Sequence, residues 1–432
     1  MDLFFYNKNL NWVESAFVKN HNAVAFWYSE GLDVYFNLFE ELDVSVVNIE
    51  ESIYSSFIDV YFSKLKGLEV VSFPSIENQT SNKKICFYAS NDTHVYLFKN
   101  ILDRFKKEEY ELYCDDSENA LTTSQKLGFF VKGGFKECKN NRFFFSTLIL
   151  GNDWGIKERI LNAEYIKLGI NTTCIQESIL DLNEINNRLG YCNVPVFQGV
   201  NSLKKLNLLS KASAVIGNPR FENLRFCSFP VQKQIFINVN FTYGIHEESR
   251  SKWINDILTC ANDLNLEYII SQHPRDNGVL EGLNVLKSNA GIVHQTIKES
   301  SLVISRFSAL LLESIALGRP AIYYNPHGEK MTYDFAFDNK SLFYIDNEKD
   351  LKKIIKELIV STEAQDSFFF TKQLYLHLGV TSKQIASFYI SQFVICSKFF
   401  VAYKKQKKSE LLKLYFKLYK VNLKAFLKRI YK

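Results

Sequence analysis

The chain has 432 residues, 47% hydrophobic and 23% charged, with a formal net charge of +5. That balance excludes a disordered or fibrous chain, and the length exceeds a single ordinary core, since domains run to roughly 100–200 residues. Eight scattered cysteines with no C-x-x-C pair argue against a disulfide frame or a zinc ribbon and fit reduced thiols in a cytosolic protein.

The beginning, Met1-Asp2-Leu3-Phe4-Phe5-Tyr6-Asn7-Lys8, lacks the basic segment, apolar run and small-residue site of a secretory signal. No run reaches the roughly 18 apolar residues of a spanning helix, so a cytoplasmic location is expected. The charge is uneven. Residues 398–432 hold eleven Lys and one Arg against Glu410, which is +11, so with +5 overall the remainder sums to −6.

In chain order, Val46-Val47-Asn48-Ile49 and Val70-Val71-Ser72-Phe73 read as short strands among aromatic-rich helical stretches such as residues 35–39. From Lys84 the pattern sharpens: Ile85–Ala89 is a compact apolar strand, Ser90–His94 a polar turn, and Val95, Phe98, Ile101, Leu102 and Phe105 recur at helical spacing. Tyr110–Cys114 then completes a βαβ unit. Strands over 143–150, 172–176 and 214–216 and a helix near 156–168 extend an open α/β domain. Gly217-Asn218-Pro219-Arg220 and Pro230 mark the boundary before a second series. That series has strands at 235–240, 268–270, 302–304 and 321–324, and helices carrying Trp253, Ile254, Ile257 and Leu258 and spanning 309–317. Helices between successive strands imply parallel sheets, which need long crossovers. The expected fold class is therefore α/β, two Rossmann-like domains facing a cleft, divided as 1–228 and 229–361, with a helical return segment and basic amphipathic tail over 362–432.

Two polar clusters end buried elements of the second series: Ser271-Gln272-His273-Pro274-Arg275 and Ser305-Arg306-Phe307-Ser308. Ligands of open α/β sheets bind beyond the strands' carboxyl ends. A helix starting after Phe307 would aim its amides at an anion, with Ser305 and Ser308 adding hydroxyls and His273 a ring N–H. Asn238 and Asn240 occupy the first strand–helix turn, where they approach a pyrophosphate or simply form a polar turn.

Taken with Gly217-Asn218-Pro219-Arg220-Phe221, these motifs resemble those of GT-B bacterial surface-polysaccharide transferases. The nearest pattern is that of the sialyl-, Kdo- and polyglycerol-phosphate transferases with His-Pro and Ser-Ser motifs around a cytidine nucleotide. The resemblance spans about residues 84–360. Here the serines are split by Arg306-Phe307, where the family pattern has them adjacent. The resemblance implies that His273 contacts the donor phosphate, that Ser305 and Ser308 hold it, and that Glu313 reaches the ribose hydroxyls. Arg306 is this chain's own addition, with a guanidinium suited to phosphate oxygens.

Sugar transfer needs a base for the acceptor hydroxyl and a charge sink for the departing phosphate, which a metal-independent GT-B enzyme makes from hydrogen-bond donors. Asp92, with His94 beside it, and Asp153 are the candidate bases. Each aspartate has a competing reading as a helix N-cap, for helices starting near Thr93 and Ile156. Asp115-Asp116 is a poor match to a D-x-D metal site, and His246 and His327 lack partners at zinc spacing, so no metal and no cofactor beyond the nucleotide-sugar co-substrate is expected.

In the tail, Lys413, Lys417, Lys420, Lys424 and Lys428 stand four, three, four and four residues apart, a stripe along one helical face with Leu, Phe, Tyr and Val around it. Such a helix suits an anionic membrane surface, here through residues 404–432, in preference to the protein body or nucleic acid. The expected function is transfer of a sugar, CMP-linked by the resemblance, to a growing cell-surface polysaccharide or lipid-linked acceptor at the inner face of the membrane. The rivals are a CDP-glycerol-type glycerophosphotransferase and a catalytically silent GT-B scaffold.

Overall fold

The computed structural model describes residues 1–6, 23–27, 42–73, 83–115, 119–180, 188–206, 212–224, 226–228, 230, 233–242, 244–273, 275–286, 290–330, 335–360, 367–378, 386–397 and 408–430. The chain divides into two compact units. The first comprises Met1–Ser178, Leu182–Arg220 and Ile385–Lys432, and the second Ile179–Asp181 and Phe221–Gln384.

The first unit runs β1 (Asp2–Tyr6), β2 (Ala23–Trp27), β3 (Val46–Glu50), α1 (Tyr54–Tyr61), β4 (Glu69–Phe73), β5 (Lys84–Ala89), α2 (Asp92–Leu102), β6 (Tyr110–Cys114), α3 (Ala120–Lys126), β7 (Val131–Gly133), α4 (Phe135–Asn140), β8 (Phe145–Leu150), α5 (Ile156–Lys167), β9 (Asn171–Ile175), β10 (Val194–Phe197), α6 (Val200–Lys205) and β11 (Ser213–Val215). Its described strands form one sheet in the order β4-β3-β1-β2-β11-β10-β9-β8-β5-β6-β7, every recorded pair parallel. A parallel strand covered on both faces reads as a continuous apolar run, and β8 is buried along its whole length. Alternation is absent for the same reason in β1 and β2, two strands that periodicity does not reveal; the helical stretch expected at 35–39 lies outside the described residues.

The second unit runs β12 (Gln234–Val239), α7 (Arg250–Asp263), β13 (Glu267–Gln272), β14 (Val285–Leu286), α8 (Ala290–Glu299), β15 (Leu302–Ser305), α9 (Leu310–Ala316), β16 (Ala321–Tyr324), β17 (Leu342–Ile345), α10 (Glu348–Val360) and α11 (Ser367–Leu378). Its sheet is β14-β13-β12-β15-β16-β17, also parallel throughout. Ile235, Ile237, Ile304 and Ile322 from the sheet meet Trp253 and Ile257 of α7 and Ile355 of α10 in its core. Trp253 Nε1 donates to Tyr324 O at 2.8 Å, giving the buried indole the partner it needs.

The chain then re-enters the first unit. α12 (Ala386–Ser397) packs on α2, and its Ile390, Phe393 and Val394 join Phe87, Val95, Phe98 and Ile101 in the core. α13 (Lys408–Ile430) packs along α5. Leu414 is buried, and Tyr415 Oη donates to Glu164 at 2.7 Å. The tail helix is therefore tied to the protein body on one face. No described helix is long and apolar enough to cross a membrane.

Candidate functional site

In the second unit, β12, β13, β15 and β16 end side by side, and their following loops carry a dense polar network. Asp276, its carboxylate fully buried, receives the amides of Phe241 (2.7 Å) and Gly278 (2.9 Å) and an ion pair from Arg250 at 3.0 Å. Asn238 Nδ2 donates to Ser305 Oγ at 2.8 Å, tying the ends of β12 and β15 together, and Asn240 Nδ2 donates to Phe307 O at 3.0 Å. These bonds fix the loops that a ligand beyond the strand ends would meet.

His273 is the group in this network with a hand still to offer. Its Nδ1 accepts the Arg275 amide at 3.1 Å, so the neutral ring carries its proton on Nε2. Burial, and then the Arg275 charge, hold its pKa below the ordinary histidine value, while Asp276 pulls the other way. A neutral imidazole with its N–H on Nε2 suits a phosphate oxygen, and among the described residues nothing takes that proton. Pro274 lies outside the described residues, and Arg275 is exposed.

The second cluster departs from expectation. α9 begins at Leu310 rather than directly after Phe307, and the amides of Leu310, Leu311 and Leu312 are taken by Ser308 Oγ (3.2 Å), Ser308 O (3.2 Å) and Ala309 O (2.9 Å). Ser308 is thus a local turn-former, and Ser305, fully buried, is the acceptor of Asn238. Arg306 is the larger correction. It is fully buried, its Nε and Nη2 donate to Glu329 at 2.8 and 2.7 Å, its Nη1 donates to Asn240 O at 3.0 Å, and its guanidinium lies 4.8 and 4.9 Å from the rings of Phe241 and Phe307. With its Nε–Nη2 fork closed on Glu329 and Nη1 donating to Asn240 O, this buried guanidinium organises the loops. Glu313 is paired with His294 Nε2 at 2.6 Å, so its carboxylate is engaged on α8.

At the carboxyl edge of the first unit the candidate bases also change roles. Asn91, rather than Asp92, caps α2: its Oδ1 accepts the His94 amide at 2.9 Å, leaving Asp92 as the first helical residue, where an acid meets the positive end of the dipole. Asp153 does not cap α5, whose N-cap is Gly155. Its buried carboxylate instead collects the amides of Leu189, Tyr191 and Cys192 at 2.7, 2.7 and 2.9 Å, which makes it a loop anchor. His94 is fully buried beneath this edge: Ser90 N points at Nδ1 from 3.3 Å, and Nε2 sits 3.0 Å from Glu177 Oε2 and 3.3 Å from Asn152 Nδ2. Its ring is enclosed, and the partly exposed group of the pair is Glu177.

Two glutamates flank that histidine with opposite bias. Burial pushes Glu158 up, and the Ser90 hydrogen bond and the His94 charge only partly offset it. Burial also pushes Glu177 up, yet His94, Arg220 and Arg188 outweigh it and hold the carboxyl below its ordinary value. Carboxyls pushed apart around one imidazole are the arrangement that separates acid from base roles. Neither glutamate stood out in the sequence, although Glu177 lies two residues beyond the end of β9. In the second unit the missed groups are Asp276, three residues after His273, and Glu329 just beyond β16, while the sequence raises His327 only as a zinc ligand. The His246 and His327 rings, separated by 81 positions, lie 4.8 Å apart, with His327 pushed down by burial and the Arg306 charge. No group of three or more metal-ligating side chains occurs among the described residues.

Among solved structures, the glycosyltransferase of kitacinnamycin aligns with 74% of this chain over 100% of its own length, at a TM-score of 0.51 and 8% identity. The fold is GT-B. The UDP-GlcNAc 2-epimerase from Methanocaldococcus jannaschii matches at a TM-score of 0.51 and 11% identity, covering 72% of this chain and 99% of that one. The Neisseria meningitidis UDP-GlcNAc 2-epimerase bound to UDP-GlcNAc gives 0.51, 12%, 72% and 99%. No protein-family model matches the sequence. No curated protein matches it either. The GT-B likeness is thus one of backbone architecture, carried at identities where side chains have diverged.

Proposed function

We propose that this protein is a glycosyltransferase that moves a sugar from a nucleotide-sugar donor to a growing cell-surface glycan or its lipid-linked precursor, without a metal ion. The observation that carries the reading is His273, a neutral imidazole presenting Nε2–H at the carboxyl edge of the second sheet of a GT-B fold. Placed there, it stabilises the charge that develops on the departing phosphate. Glu177 is the proposed base for the acceptor hydroxyl, kept ionised by His94, which acts as a positioning residue. A cytidine monophosphate donor is the first choice within this reading.

The working place is the cytoplasmic face of a membrane. α13 leaves Leu412, Phe416 and Tyr419 exposed at 69, 60 and 63%, beside Lys413, Lys417 and Lys420. Apolar side chains interleaved with lysines fit an anionic lipid interface.

A panel of CMP-, CDP-, UDP- and GDP-linked sugars tests the reading. One donor is expected to bind, with His273→Ala weakening it about tenfold, the loss of one charge-assisted hydrogen bond worth ~1.5 kcal/mol. Glu177→Gln is expected to keep that affinity and lose turnover. Donor binding untouched by His273→Ala sinks the assignment. The opposed Glu158 and Glu177 favour one second reading, epimerisation of a UDP-sugar by paired acid and base. Deuterium entering the sugar ring from D2O without any acceptor would decide for it.

A further inference from the structure

Within the first unit, a cavity of about 990 Å3 opens where β6 and β7 end, walled by α4, the first turn of α5 and the tail helix α13. Its lining includes Lys132 of β7, Lys136 and Lys139 of α4 and Lys157 of α5, with Tyr415 and Tyr419 on the tail side. Two acids share the wall and both are engaged. Asp115 pairs with Lys157, and Glu137 receives the Gly134 amide at 3.0 Å and is held below its ordinary pKa mainly by such backbone donors. The cavity is therefore net cationic.

Tyr419 belongs to two surfaces at once. It lines the cavity, and it continues the exposed stripe Leu412, Phe416, Tyr419 and Leu423, whose spacing of four, three and four residues keeps one helical face. Lys139 Nζ lies 5.1 Å over the Tyr415 ring, so the cationic wall and the tail helix are joined by direct contact. A hole lined by lysines, opening beside an apolar, lysine-edged helix face, matches a molecule with a phosphate at one end and a hydrocarbon at the other.

We propose that this cavity seats the phosphate or diphosphate head of a lipid carrier, whose chain runs along the exposed face of α13. The proposal rests on the membrane reading of α13 given above and extends it to the chemical class of the acceptor's carrier. Lysine ammonium groups supply the charge, and the tyrosines cover the first carbons of the chain.

Titration calorimetry with geranyl diphosphate and inorganic pyrophosphate, and sedimentation with vesicles of phosphatidylcholine and phosphatidylglycerol, test it on the full chain. Lys132 and Lys136 are exposed, so K132E/K136E keeps the fold. Geranyl diphosphate is expected to bind the wild type at least tenfold more tightly than K132E/K136E, and more tightly than inorganic pyrophosphate does. L412E/F416E is expected to keep inorganic pyrophosphate affinity, to weaken geranyl diphosphate and to lose the vesicles; retained vesicle binding in that variant counts against the membrane reading alone. No binding of geranyl diphosphate, or equal affinity in K132E/K136E, overturns the cavity assignment. Equal affinity for inorganic pyrophosphate overturns the lipid source and leaves a free phosphate.

Discussion

Glu329 grips Arg306 with both carboxylate oxygens, at 2.8 Å to Nε and 2.7 Å to Nη2, although 23 residues separate them in sequence. The guanidinium is fully buried and the carboxylate side chain is 10% exposed. The pair locks the loop after β15 to the loop after β16, the two loops that flank the proposed donor site. Removing one partner leaves the other charge buried and unpaired, which costs about 3–5 kcal/mol. Glu329→Ala is expected to lose stability on that scale in urea denaturation, and the R306M/E329M double variant to recover part of it. A loss below about 1 kcal/mol in the single variant contradicts this role.

Asp153→Asn separates anchor from base. The carboxylate serves three amides, and an amide side chain replaces one accepting oxygen with a donor, leaving buried N–H groups unsatisfied at about 1–3 kcal/mol. The melting temperature should fall while turnover per folded molecule stays near the wild-type value. Turnover collapsing with stability unchanged would restore Asp153 as the base.

Gly151 matters through the space above it. A Cβ there would meet His94 Cδ2 at 2.5 Å and Cγ at 2.6 Å. The enclosed ring has little room to retreat, and overpacking of this kind costs about 1–3 kcal/mol. Gly151→Ala should lower the melting temperature and, by moving His94 from Glu177, depress turnover further than stability explains. Unchanged melting and turnover would show that the ring yields freely.

His377 gives the second unit a pH dependence. The buried ring accepts the Ala336 amide at Nε2, 3.1 Å away, and burial pushes its pKa down to about 4. The unfolded chain binds this proton near pH 6.5 and the folded one only near 4, so the unfolded state is favoured progressively as pH falls through that window. The loss is fully developed below pH 4 and on the order of 3 kcal/mol. Denaturation midpoints between pH 7 and 4 should show it, and His377→Gln should flatten the curve. An unchanged slope in that variant removes the role.

Much of the fold was legible. Ile85–Ala89, Tyr110–Cys114, Leu302–Ile304 and Ala321–Tyr324 stand as strands because buried parallel strands are short runs of apolar residues between turns. β1 and β2 were hidden because Asp2–Tyr6 and Ala23–Trp27 carry no periodicity and little flanking punctuation. The site was legible in part. His273 could be picked out because a polar residue directly after a buried strand is conspicuous, whereas Glu177 acquires its character from His94, 83 positions earlier, and from Arg188 and Arg220.

By itself the sequence determined the alternation of strands and helices, the polar segments beyond the strand ends and the lysine periodicity of the tail, because each depends on spacing along a few neighbouring residues. Which charges are spent and which remain available was decided by tertiary structure. Arg306 looks like a phosphate ligand until Glu329 reaches it, Asp153 looks like a base until three amides converge on it, and Tyr419 becomes part of a cationic cavity only when α13 lies along α5. Each depends on groups distant in the chain being brought within hydrogen-bonding or van der Waals distance, and local patterning carries no information on that.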